Sequence, residues 1–401
     1  MVQTWLQGIR VLDFSWAAAG PYATELLGFM GAEVIKVESQ QRPDLARRGL
    51  YQGTPSLDAS SEFNDLNLNK RSLCLNLRRP EAIELVKRLI VHCDVVVENF
   101  RPGVMHRLGL GYDTLQAIQP ALIMASSAAN GATGPESAYP GYAGVFNALS
   151  GAGHLTGYAD GPPTEMRISM DLRVGMSLCF AVLAALWERR RSGQGQHIDM
   201  SAREAISCLT GHTLMHYTLN REFVGRQGNA DEDGMLVPHG CYRCLGEDRW
   251  VTIAVGSDLE WQALCRETDH PEWLRDSRFA DAAGRLQHAA ILDEALNTWT
   301  ASQAPEAVTA RLQQAGVAAY PTMDSAMLAN SKHLRQRGAF VTVKHARLGE
   351  QTVLGPPWRS MGGQPERPSP LLGEHTTEIL RELLGLSPAE IEALEADGVL
   401  T

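Results

Sequence analysis

The sequence predicts an α/β fold: a Rossmann-like half built on a parallel sheet, followed by a smaller α+β segment. Two observations carry this. Short apolar runs alternate with helix-length runs from Ile9 to Met200, and the composition shifts near Tyr217. Strand–helix–strand alternation needs a crossover, hence parallel strands joined right-handedly.

In order, Ile9–Phe14 reads as a short apolar strand that runs into Ala17-Ala-Ala-Gly-Pro21. That small-residue turn carries a proline near a helix start. A helix over Tyr22–Met30 should stop at Gly31, and Glu33–Glu38 is the second strand. Arg71–Leu77 is a strand, Pro80–Leu89 a helix, and Asp94–Glu98 and Ala121–Ala125 are buried strands. No GxGxxG turn is present, so a dinucleotide cofactor is not supported.

Asp171–Arg191 repeats apolar residues at Leu178, Val182, Leu183 and Leu186, a long helix. A polar turn over Ser192–Gln196, a strand at His197–Met200 and a helix from Ser201 follow, with Glu204 completing a capping-box pattern. Arg226–Gly234 reads as an exposed loop. Beyond it lie a strand at Trp250–Val255 and helices near 258–268, 285–301 and 305–315. From about Phe340 the chain is proline- and glycine-rich, and helices at 374–384 and 387–396 end it. There is no internal repeat.

Of the 401 residues, 44% are hydrophobic and 20% charged, enough apolar side chain to bury a sizeable core in a soluble protein. A net charge of −10 argues against a broad nucleic-acid footprint, which needs a basic face. A small anion in a locally positive pocket stays compatible. The seven cysteines are scattered, and Cys241-Tyr-Arg-Cys244 has no second pair at zinc spacing, so reduced thiols are expected and no metal. The first residues lack a signal-peptide pattern, and the apolar run Cys179–Trp187 is too short to span a bilayer. A cytoplasmic protein without a membrane partner is expected.

Five stretches in one order carry a resemblance. They are Gly8–Glu38, Asn67–Ser72, Asp94–Gly103 continuing to Tyr112, Asp171–Gly175 continuing to Ser201, and Pro370–His375. Together they resemble the class III coenzyme A-transferases, the family of formyl-CoA transferase, carnitine CoA-transferase and 2-methylacyl-CoA racemase. The resemblance implies a large Rossmann-like domain made of 1–217 and a returning segment 326–401, with a small domain at 218–325. It also implies an interlocked dimer, or a heteromer with a related subunit, with the coenzyme A thioester as substrate and no tightly bound cofactor.

Read from the residues alone, Asp171 is a helix cap. The resemblance makes it the nucleophile that forms an anhydride and then an aspartyl-CoA thioester. Tyr142 stands where racemases carry the histidine of a Gly-His-Asp stretch, so transfer is favoured over racemisation. Asn99, Phe100 and Arg101 match a loop that contacts CoA in relatives, and Arg107 matches an arginine near its phosphates. The segment from Leu75 to Arg78 and Arg79 offers charge to a pyrophosphate. Ala18 replaces a glutamine that serves the small substrate of formyl-CoA transferase, which argues against oxalate and formate.

A polar segment, Gly228–Gly240, replaces that enzyme's glycine-rich loop. Within it His239 is a candidate lid element. His212 and His216, four apart on a predicted helix, lack a carboxylate partner and read as packing residues. Arg167 and Arg173 flank Asp171 and are candidates to grip the distal carboxylate of a dicarboxylic acid. The surroundings look nearest to members that use succinyl-CoA with succinate-like acids such as benzylsuccinate, malate, citramalate or mesaconate.

Overall fold

The computed structural model describes residues 4–49, 56–165, 169–231, 234–359 and 363–401. The chain divides into two compact units. The first comprises 1–153, 165–222 and 333–401, the second 154–164 and 223–332.

In the first unit six strands form one parallel sheet. They are β1 (Arg10–Asp13), β2 (Glu33–Glu38), β3 (Lys70–Cys74), β4 (Val95–Glu98), β5 (Ile123–Ala128) and β6 (Gln196–Ser201). Their order is β3-β2-β1-β4-β5-β6, and every neighbour pair is parallel. Such a sheet must be covered on both faces, and side chains alternate between them.

Leu12, Ile35, Leu73 and Val96 face the helix Pro80–Ile90 and the helices Thr376–Leu384 and Pro388–Ala396. Val11, Val34, Val95 and Val97 face the helices Ala19–Phe29 and Ser169–Ser192. The continuous apolar runs that predicted strands thus supply two cores at once. That double burial is why they do not alternate with polar residues.

The predicted helix at Tyr22 begins earlier, at Ala19, because Pro21 fits the first turn. The long helix spans 24 residues, and among the described residues it is the one with the length and apolarity of a membrane span. The apolar run in the sequence understated it. Its inner face, from Val174 to Leu186, packs into the unit's interior, as in the core helix of a soluble fold.

The segment after Phe340 is more regular than its composition suggested. β10 (Phe340–His345) and β11 (Gly349–Leu354) form an antiparallel hairpin, with His345 opposite Gly349. The β-branched Val341, Thr342, Val343, Thr352 and Val353 favour that state, and Gly349 takes the left-handed φ of 71° where the hairpin turns.

The last segment then returns to the edge strand β3. Arg71 pairs with Glu378 and Glu382 at 2.8 Å each, His375 N donates to the Ser72 carbonyl, and Asn76 N to the Val399 carbonyl.

The second unit is an antiparallel sheet of β7 (His239–Arg243), β8 (Trp250–Ala254) and β9 (Ala318–Pro321), in that order. The helices Asp258–Glu267, Ala289–Ala301 and Pro305–Gln314 build its core with Tyr242, Val251 and Ile253. The segment 154–164 belongs here because Gly228 N donates to the Gly157 carbonyl and Asn229 to the Tyr158 hydroxyl.

All seven cysteines are free. Cys244 is buried on the face of Tyr242, while Cys241 points the other way, toward Thr322. The two sulfurs therefore leave opposite faces. Among the described residues no group of three or more His, Cys, Asp or Glu is placed to hold a metal ion.

Candidate active site

The strand order reverses between β1 and β4, so the connections leaving their carboxyl ends part and open a crevice. The turn Ser15–Ala18 leaves β1 and the loop Asn99–Gly103 leaves β4. Asn99 joins them. Its Oδ1 accepts from Trp16 N at 2.8 Å, and its Nδ2 donates to the Trp16 carbonyl at 2.8 Å. The Phe100 ring meets Trp16 edge-on at 5.8 Å, and the Arg42 guanidinium lies 4.8 Å over the same indole.

Charged residues at the strand ends hold this turn from below. Asp13 accepts from the Ser15 hydroxyl, from Thr24 at 2.7 Å and from Lys70 at 3.1 Å. Burial opposes its ionisation, but Lys70, Lys36 and the two hydroxyls outweigh it and bring the carboxyl down to about 2. At Lys70 burial wins and lowers the ammonium to about 8, despite Asp13. Lys36 pairs with Asp44 at 3.0 Å and donates to the Ser15 carbonyl at 2.7 Å. Arg47 clasps Glu38 through two hydrogen bonds of 2.7 and 2.8 Å and lies on the Phe63 ring.

Sequence reading missed this set. Its signal was present as Asp13, Lys36, Glu38 and Lys70, charges inside strands that a doubly covered parallel sheet must bury.

Asp171 sits in the first turn of the long helix, the end that favours negative charge. Met170 and Val174 pack with Ala19, while Leu178, Val182 and Leu186 share a cluster with Ala23, Leu26 and Leu27. The two helices therefore run side by side with their starts together. Gly175 allows the closest approach, since a Cβ there would come within 2.5 Å of the Ala19 carbonyl oxygen. Asp171 is one turn before Gly175 on the same face, which directs it toward the start of the helix Ala19–Phe29. Burial alone pushes its carboxyl up to about 6, and among the described residues no cation pairs with it.

The remaining predicted residues divide clearly. Ala18 is buried at the N-cap position of the helix Ala19–Phe29. Tyr142, 69% exposed, is the N-cap residue of the helix Ala143–Leu149. Arg78, Arg101 and Arg107 are exposed beyond the ends of β3 and β4, and none forms a salt bridge among the described residues. Leu75 is fully buried in the core, so it offers a ligand only backbone.

Arg173 lies two residues, about 200° of helix, from Asp171, so it leaves the opposite side. Arg167 lies outside the described residues. His239 belongs to the second unit, its Nδ1 2.6 Å from the Asn229 carbonyl. His216 has a carboxylate partner after all, Glu222 at 3.3 Å, a pairing across the end of the helix Gly211–Asn220 that sequence spacing hid.

A polar concavity of about 280 Å³ lies between Asn130, Glu136, Ser201 and Arg203. Asp171 does not line it.

Residues 6–376 match CoA-transferase family III. The chain is 33% identical over 401 residues to the succinyl-CoA–L-malate CoA-transferase beta subunit of Chloroflexus aurantiacus, covering 98% of each. It is 32% identical to the succinyl-CoA:glutarate CoA-transferase of Mus musculus, covering 98% of this chain and 90% of that one. A solved CaiB/BaiF family protein from Brucella suis superposes with a TM-score of 0.86 at 31% identity, covering 95% and 99% of the two chains.

Proposed function

The chain belongs to CoA-transferase family III and is a class III CoA-transferase, and from that premise we propose that Asp171 carries coenzyme A from succinyl-CoA to a dicarboxylate. The observation behind this reading is the sheltered Asp171 carboxylate, without a cation partner among the described residues, in the first turn of the long helix. A carboxylate short of water and of counter-charge is a stronger nucleophile than a solvated one, and at neutral pH it is still mostly ionised.

The Asp171 carboxylate attacks the thioester carbonyl of the donor and expels the CoA thiolate, leaving a mixed anhydride. The thiolate returns to the Asp171 carbonyl, which frees the donor acid and leaves an aspartyl-CoA thioester. The acceptor carboxylate attacks that thioester, again expelling thiolate and forming a second anhydride. Thiolate attack on the acceptor carbonyl then gives the new acyl-CoA and restores Asp171. No step consumes water, so the site must exclude it. The neighbouring helix starts offer N–H groups where oxyanions develop.

Arg42, Arg78, Arg101 and Arg107 follow the ends of β2, β3 and β4 without carboxylate partners among the described residues, which suits the phosphates of CoA. The relatives named for succinyl-CoA with malate or glutarate support the donor and the acceptor class. The exposed phenol of Tyr142, in place of an imidazole, supports transfer over racemisation.

The working form in this reading is a dimer, with itself or with a related subunit. The helix Gly211–Asn220 buries no residue, and Leu214, Met215 and Leu219 on it, like Phe180 and Trp187 on the long helix, are exposed. An apolar face of that extent fits a protein partner. Free cysteines throughout fit a cytoplasmic setting.

The test is to incubate the protein with succinyl-CoA, trap with hydroxylamine and locate the modified residue by mass spectrometry. A hydroxamate at Asp171 is expected. An unmodified Asp171 in a folded, turning-over enzyme overturns the mechanism.

A further inference from the structure

Ala17 has a φ of 59°, in the left-handed region that side-chain-bearing residues avoid. Such a conformation brings the Cβ against the backbone and persists only where the surroundings over-determine it. Here they do. Lys36 Nζ holds the Ser15 carbonyl at 2.7 Å, Asn99 brackets Trp16, and Ala17 N donates to Asp44 Oδ1 at 2.9 Å. Gly20 lets the turn fold back on the helix start, since a Cβ there would meet the Ser15 Cβ at 2.2 Å.

Asp44 is the one of these residues that grips the strained position itself. Its Oδ1 also accepts from Ala46 N at 3.0 Å, which fixes the carboxylate in its own loop, and it pairs with Lys36 at 3.0 Å. The side chains of both ions are out of water, 0% and 1% exposed. A buried ion pair is weak support for stability, because an apolar pair of similar volume often does as well. What an apolar pair lacks is an acceptor for Ala17 N.

We propose that Asp44 is a positioning residue for the transfer reaction: by holding Ala17 left-handed, it sets the turn Ser15–Ala18 and the start of the helix Ala19–Phe29 against Asp171. This rests on the reading of Asp171 as nucleophile. The helix start can serve the developing oxyanion only in the direction the turn aims it, and small misplacements there cost rate rather than binding.

The experiment compares Asp44→Ala, Asp44→Asn and the double variant Asp44→Ala/Ala17→Gly in the full-length enzyme, with the melting transition recorded for each. Asp44→Ala should lower kcat about 100-fold while KM for succinyl-CoA stays within about threefold. Asp44→Asn keeps an acceptor for Ala17 N and should recover at least tenfold of that loss. Glycine adopts φ near 60° unaided, so the double variant should also recover at least tenfold.

A purely stabilising Asp44 predicts something else: losses that follow the folded fraction, with no rescue by glycine. Either that pattern, or a folded Asp44→Ala enzyme with unchanged kcat, overturns the proposal. If Asp44→Ala does not fold, Ala17→Val reads the same turn from its other side, since a β-branched residue resists this φ while Asp44 remains. A folded Ala17→Val enzyme with full kcat overturns the proposal equally. Hydroxylamine trapping on the wild type separates the two readings. An adduct at Asp171 with no kcat response to these variants removes only Asp44, whereas no adduct removes the nucleophile.

Discussion

Asp13, at the end of β1, and Asp171, at the start of the long helix, are both carboxylates drawn out of water, and they end on opposite sides of the usual range. Asp13 meets Lys70, Lys36 and two hydroxyls, which overcome burial and lower it to about 2. Asp171 meets burial alone and rises to about 6. The difference lies in the neighbours, not in the residue type. A carboxylate whose lone pairs are all committed holds a fold together. One that is sheltered but uncommitted keeps its electrons for a reaction and costs the fold something in waiting.

The sharpest way to break this comparison is to remove each carboxylate in turn. Asp171→Ala should lower transfer by at least about 10³-fold and abolish the trapped adduct, as loss of a covalent nucleophile does. Its circular dichroism should match the wild type. Asp13→Ala should instead destabilise by about 3–5 kcal/mol, because it leaves the buried Lys70 without its counter-ion. Urea unfolding measures it, and a loss below about 1 kcal/mol would show that Asp13 is dispensable.

A subtler contrast is stability. Between the ordinary 3.8 and about 6 the folded Asp171 holds a proton that the unfolded chain has released, so stability falls as pH rises through that window. Asp171→Asn should therefore be more stable than wild type, by on the order of 3 kcal/mol well above pH 6 and by nothing below pH 4. Equal stability at pH 8 would count against a desolvated carboxylate. The smallest effect is on rate. kcat/KM should be flat above about pH 7 and fall about tenfold per unit below about pH 6, as the nucleophile takes up its proton.

How far the sequence foretold this molecule follows from what each feature depends on. β1 and β4 are legible from the continuous apolar run of a strand buried on both faces, β2 from its β-branched Val34, Ile35 and Val37, and Pro80 and Gly31 mark helix ends by backbone chemistry. The hairpin over Phe340–Leu354 was hidden by the prolines and glycines that follow it, although its own residues are β-branched.

The ion-paired turn was not legible, because it depends on register. Asp13 lies opposite Lys36 only once β1 and β2 are aligned in parallel, and Lys70 reaches Asp13 from a strand two places away. Asp171 marks the boundary between these cases. Its identity and its place at a helix start were readable. The shelter that raises it comes from a helix packed beside it, which only the fold supplies. Arg173 shows the reverse error: neighbours in sequence leave a helix in different directions.

The return of the final segment to β3 has a consequence for how the chain is made. β3 is an edge strand, and its exposed side is covered by Glu378, Glu382, His375 and Val399, some 300 residues later in synthesis. At about 5–20 residues per second, that edge leaves the ribosome tens of seconds before its cover does. An uncovered parallel edge can recruit a neighbouring strand, so this interval is when the nascent protein is most exposed to aggregation. Arg71, paired with Glu33 of β2 from the start, stands guard on that edge until Glu378 and Glu382 arrive.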